Sequence, residues 1–184
     1  MLWFLSLTLA GALTGGPVSD SKTPLAAKPG SPAEVAAALL ASENRRLRAA
    51  TPHLGALIAD GVKRSATFAG LVADIHKSNV IVYVQSSMGL PSDVAGRILF
   101  VGAAGEQRYL RVQVRSTLTR DQMISVIAHE LRHALEVAAE HSVVDEKALA
   151  AFYKRIGDST HPGGGYDTEA ARVAQRVVRR ELNS

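Results

Sequence analysis

A histidine at position 129, a glutamate at 130 and a second histidine at 133 place the tightest demand on how this chain folds. On an α-helix, residues i and i+4 stand one above the other on one face. His129 and His133 can therefore offer two imidazole nitrogens to one ion, with Glu130 beside them to act on a water molecule. That use requires a helix with two distinct faces, one packed into a core and one looking into a cleft. The flanking sequence supports such a helix. Thr119-Arg120-Asp121-Gln122 is a capping box, and Leu118 and Met123 can close a hydrophobic staple across it. The helix is expected to run to about Glu140. At about 100° per residue, Ile124, Ile127, Leu131, Ala134, Leu135 and Ala138 form its apolar stripe. His129, His133, Glu136 and Glu140 gather on nearly the opposite side.

The rest of the chain narrows what can surround that helix. With no cysteine among 184 residues, disulfides, thiolate nucleophiles and Cys-based metal sites are excluded. The net charge of +4 is spread over helices and only 5% of residues are aromatic. This describes solvated arginine faces better than a nucleic-acid groove. Met1 to Leu13 carries no charged side chain, has about the length of a signal-peptide apolar region and is short for a membrane span. Ala10-Gly11-Ala12 offers a small-x-small cleavage pattern. Residues 1–14 are expected to be a signal peptide on an exported protein, with membrane contact only if that segment stays uncleaved. Residues 15–32 hold four of the seven prolines and are expected to be a disordered linker. Residues 33–184 form a single domain, expected to be a monomer.

Within that domain the pattern predicts an α+β fold, mostly helical with a short three-stranded sheet. Ser31, Pro32 and Glu34 open a helix over 33–50, with Val35, Leu39, Leu40 and Leu47 inward and Arg45, Arg46 and Arg48 on its wet side. Thr51 caps a helix to about Gly61, and Thr67 caps another over Phe68–Lys77. The lone histidines His53 and His76 are expected to be exposed or capping residues. Val80–Gln85 reads as a strand buried on both faces. Arg97–Val101 and Tyr109–Val114 form a hairpin through Gly102–Glu106. In its second strand Leu110, Val112 and Val114 point one way, and Tyr109, Arg111, Gln113 and Arg115 the other. This half-exposed strand is expected at a sheet edge, where it could pair with an extended peptide. Helices follow over Glu146–Ile156 and from the turn His161–Asp167 to about Leu182.

His129-Glu130-x-x-His133, on a helix following a small sheet, resembles the zincin metallopeptidases, a likeness covering at most Val80 to Leu182. The order of elements is also similar to that of a group of small, uncharacterised bacterial exported proteins. The zincin resemblance implies a Zn²⁺ ion held by His129, His133 and a third side chain, with Glu130 as general base toward a peptide or protein substrate. Glu136 stands where the metzincin pattern has glycine, so the third ligand is sought in a later acid, as in gluzincins or aspzincins. Asp167 is favoured, because helical phase puts it on the buried face of the last helix. Glu169 and His161 are the alternatives, Glu169 looking more like an exposed partner of Arg172 or Arg176. Glu136 is read as orienting His133, and Tyr166 or His161 as candidate oxyanion partners. A catalytically inactive zinc-binding protein of the same type, serving as a binding or scaffold module, is the competing reading.

Overall fold

The computed structural model describes residues 30–42, 45–158 and 167–184. The expected leader, almost all of the expected linker, His161 and Tyr166 lie outside the described residues. Ten elements follow in order: α1 (Pro32–Ala41), β1 (Leu47–Ala49), α2 (Pro52–Arg64), α3 (Ala66–Lys77), β2 (Val80–Ser87), β3 (Gly96–Ala104), β4 (Gln107–Arg115), α4 (Arg120–Ala139), α5 (Glu146–Ile156) and α6 (Glu169–Leu182). No helix among the described residues is long and apolar enough to cross a membrane.

The sheet is mixed and has four strands, not the expected three, in the order β1-β2-β4-β3. β1, β2 and β4 run parallel, and β3 is antiparallel to β4. One face packs under the helices. Val80, Val82 and Val84 of β2 and Leu110, Val112 and Val114 of β4 are fully buried there, together with Phe68 and Ile75 of α3 and Ile124, Ile127 and Leu131 of α4. The hairpin is tighter than the sequence suggests. Ala104 pairs with Gln107, and the two-residue turn between them places Gly105 at φ 56°, a conformation that a side chain resists.

Three expectations are corrected. The first helix stops at Ala41, Ser42 turning extended, and the chain returns as β1. Leu47 and Ala49 pair with Val82 and Val84. A continued helix would have left the outer amides of β2 without partners; a three-residue strand supplies them, with Val82 N–H donating to Arg46 O at 2.8 Å. Arg46 and Arg48 consequently leave the wet side and bond Gln107 and the Tyr83 hydroxyl. In α1 itself Ala36, not Val35, is the buried residue.

The second correction concerns the cap of α3, which is Ser65: its hydroxyl accepts from Phe68 N at 3.0 Å. Thr67 instead donates its backbone N–H (3.1 Å) and hydroxyl (2.8 Å) to Glu181, tying α6 to the start of α3. Finally, Tyr109–Val114 is not an edge strand. β4 lies between β2 and β3, and β3 forms the edge.

Arg108, at the start of β4, is buried and binds the end of the motif helix. Its guanidinium donates to the carbonyls of Val137 (2.6 Å), Ala138 (2.9 Å) and Glu140 (2.7 Å) and to Asn79 Oδ1 (2.7 Å). A cation at the carbonyl end of a helix both satisfies its free acceptors and complements its dipole. α4 is thereby fixed to the sheet at its C-terminus, while the Thr119–Gln122 capping box closes its N-terminus.

Candidate metal centre

α4 is buried nearly all round, and its histidine face is covered by elements that follow it in the chain. His133 is only 4% exposed. The Tyr153 ring of α5 meets its imidazole edge to face, with centroids 5.0 Å apart, and the Tyr153 hydroxyl donates to His133 O at 2.9 Å. His133 Nδ1 lies 2.9 Å from Glu136 Oε2. The other oxygen of Glu136 accepts from the hydroxyl of Thr168, the N-cap of α6, at 2.7 Å. Burial works against ionisation of Glu136, but these two hydrogen bonds outweigh it and hold its carboxyl below the ordinary range. An ionised Glu136 makes Nδ1 of His133 the proton-bearing nitrogen and turns Nε2 toward the cleft.

Asp167 reaches the same point from another direction. It precedes α6, so its burial does not come from helical phase; Thr168, not Asp167, caps the helix. An isolated bridge fixes its backbone, with Asp158 N–H donating to Asp167 O at 2.7 Å. Its Oδ1 accepts from Thr168 N at 2.7 Å, and Oδ2 lies 3.7 Å from the Arg172 guanidinium. Oδ1 stands 3.2 Å from His129 Nε2 and 3.5 Å from His133 Nε2, and the two imidazole nitrogens are 3.1 Å apart. His129, His133 and Asp167 are thus a buried group able to hold a metal ion. Burial alone would raise the Asp167 pKa, but hydrogen bonds from the two histidines hold it far below the usual carboxylate range. Burial alone would lower the His133 pKa, whereas Asp167 and Glu136 together hold it up at about 9. The Nδ1 of His129 is buried with no hydrogen-bond partner among the described residues.

Glu130 is 4% exposed and makes no hydrogen bond to a described residue. Burial pushes its carboxyl up, against the pull of the two histidines. It faces a cleft of about 570 Å³. Edge strand β3, from Gly96 to Leu99, and the loop before it form one wall; Leu149, Ala150 and Tyr153 of α5 form the other. The walls are mainly apolar, and Asp93, Arg97 and Glu146 are exposed on the rim.

The structure brings together His129, Glu130, His133 and Asp167, with Glu136 behind His133. Glu169 stays outside, exposed and paired with Arg172 at 3.0 Å and Arg176 at 2.7 Å. The supporting roles of Tyr153, Thr168 and Arg172 escaped the sequence reading. Tyr153 looks there like any apolar-face residue of α5, and only the choice of Thr168 over Asp167 as helix cap could have exposed the Thr168–Glu136 link. Comparison with protein-family models, curated proteins and solved structures found no match.

Proposed function

We propose that this protein is a zinc-dependent peptidase, exported by its N-terminal leader, in which His129, His133 and Asp167 hold the ion and Glu130 is the general base. The observation that carries this reading is the convergence of three donor atoms beside a buried carboxyl group with no hydrogen-bond partner among the described residues, at the floor of a cleft. Separations of 3.1, 3.2 and 3.5 Å place the donors on a circle of about 1.9 Å radius, just under the 2.0–2.1 Å of a zinc–ligand bond. Two imidazoles and one carboxylate also match zinc chemically and leave one coordination position for substrate or water. Zinc held there supplies Lewis acidity toward a carbonyl and makes a nucleophile available from water at neutral pH.

The chain's own residues supply the rest. Glu130, raised by burial, takes a proton from the attacking water and returns it to the leaving amine. Glu136, locked by Thr168, fixes the His133 ring. Among the described residues no strand pairs with the outer edge of β3, which lines the cleft, so an extended peptide can add to it through main-chain hydrogen bonds. The apolar walls favour apolar side chains next to the cut. The Glu130 carboxyl, without a hydrogen-bond partner among the described residues, argues for catalysis over a scaffold role, since a buried acid without hydrogen bonds costs stability.

The test is elemental analysis of protein purified without added metal, followed by peptide-library assays. We expect about one zinc per chain, with Glu130→Gln keeping the metal and losing on the order of 10²–10⁴-fold in kcat. A zinc-loaded wild type inert toward peptides would favour the binding or scaffold module instead. Protein that neither carries nor takes up zinc would overturn both.

A further inference from the structure

We infer that Gly96 is a positioning residue for Glu130: the missing side chain at the start of the edge strand makes the space in which the glutamate carboxylate lies against that strand. The inference rests on the reading of Glu130 as general base. Glycine early in a strand is unfavourable on entropy and packing, so its presence asks for a reason. Backbone conformation is not that reason, because Gly96 does not have a positive φ. Space is. Gly96 pairs with Val114, which puts it on the sheet face that packs against α4. A Cβ there would fall 2.5 Å from Val126 Cγ1, 2.8 Å from Glu130 Oε1 and 3.3 Å from Glu130 Cγ. Gly102, in the same strand, would meet nothing within 4 Å.

Neither backbone can retreat from that contact. Just before Gly96 the chain is clamped to the end of β4: Arg115 N–H donates to Ala95 O at 2.9 Å, and the Arg115 guanidinium donates to Val94 O at 2.6 and 3.2 Å. On the other side α4 is held by the fully buried Ile124, Ile127 and Leu131 and by Arg108 at its end. Val126 is β-branched and has essentially one rotamer in a helix. The movable atoms are those of the Glu130 carboxylate. A methyl group at 96 would drive it off the strand and into the cleft, since the three atoms nearest the methyl belong to Val126 and Glu130 and none to His129, His133 or Asp167. Gly96 therefore keeps the base directly under the edge on which a peptide would be laid, where proton transfer depends on placement within about an ångström.

The experiment compares Gly96→Ala/Val126→Ala with Val126→Ala alone. Shortening Val126 removes the 2.5 Å collision and leaves the one with Glu130. Four quantities are read on zinc-loaded protein: zinc content, kcat and KM on the best peptide, and the ¹³C shift of the Glu130 carboxyl carbon. We expect equal zinc content, a kcat lower by on the order of 10²-fold with KM little changed, and a displaced Glu130 signal. Matching kcat and matching Glu130 signal in the two variants would overturn the inference. If the wild type cleaves no peptide, the base reading fails separately. The Glu130 signal then decides alone: a displaced signal upholds the placement by Gly96, and an unmoved one overturns it.

Discussion

Among the described residues, a cleft of about 570 Å³ over α4 and one of about 540 Å³ between α1, β1 and α2 are nearly equal in size. The second is lined by small and apolar side chains, among them Ala37, Leu40, Leu47, Ala49 and Ile58, and its one charged lining residue, Arg45, is exposed. The first has His129, Glu130, His133 and Asp167 on its floor. Seven polar or charged residues are buried among the described ones; Glu130, His133, Asp167 and Thr168 belong to the first cleft or its support, and none lines the second. Volume alone therefore says little about function. Burying polar groups costs stability unless they find partners. Here four come together from α4 and from the start of α6, each held by hydrogen bonds or by packing.

The largest effect that could break this contrast is at Asp167. Asp167→Asn should abolish stoichiometric zinc and all turnover, whereas Glu169→Gln, two residues on and exposed at the start of α6, should leave both unchanged. Elemental analysis of the two proteins checks this. Retention of zinc in the asparagine variant would remove Asp167 from the set of ligands. Glu136→Gln should do less. It leaves all three donors but frees the His133 ring, and loss of such a supporting carboxylate weakens zinc by on the order of 10–100-fold. Chelator competition measures it. Thr168→Val, which removes the hydroxyl on Glu136 and with it the cap of α6, should weaken zinc in the same direction by a smaller factor.

How much of this was legible in the sequence differs between the two regions. The start, length and histidine spacing of α4 were readable, because they are local; that its histidine face is covered in turn by α5 and the start of α6 was not. Asp167 was reachable for a partly wrong reason: its burial comes from the bridge to Asp158, a pairing of residues nine apart that no periodicity records. Around the second cleft reading failed earlier. Leu47–Ala49 is a strand only because β2 lies beside it, and nothing in three residues of mixed character announces that. The alternation in Tyr109–Arg115 told which side chains face the core but not which strands lie alongside, so a central strand looked like an edge. Gly96 carries no signal by itself, since the atoms that need its space belong to a helix thirty residues on.

Acidity and alkalinity should separate the two regions. In protein stripped of zinc by chelator, His133 has a folded pKa of about 9, above the ordinary 6.5. Its contribution is fully present below about 6.5 and is lost as pH rises through about 9. The melting temperature of the stripped protein should therefore fall over that window. Zinc requires neutral imidazoles, so zinc affinity should rise over the same window. A stripped protein equally stable at pH 6.5 and 9 would contradict the pairing of His133 with Asp167 and Glu136.

The smallest effect, of opposite sign, belongs to the second region. His76, expected from sequence to be exposed or a cap, is half-buried at the end of α3, and its Nδ1 accepts Arg46 N–H at 3.5 Å, just before β1. Its Nε2 has no partner among the described residues. Burial, with the nearby Arg46 charge, holds its pKa below 6.5. Such a group contributes stability above about pH 6.5 that is lost as pH falls through its folded pKa. Protonation also turns Nδ1 from acceptor to donor, facing an amide that can only donate. Lowering the pH from 7 to 5 should thus reduce the melting temperature slightly, with His76→Leu flattening that slope while zinc content at neutral pH stays the same. An unchanged slope in His76→Leu would mean that β1, and with it the second cleft, is not anchored through this imidazole. A loss of zinc at neutral pH in the same variant would mean that the two regions are coupled through α3 after all.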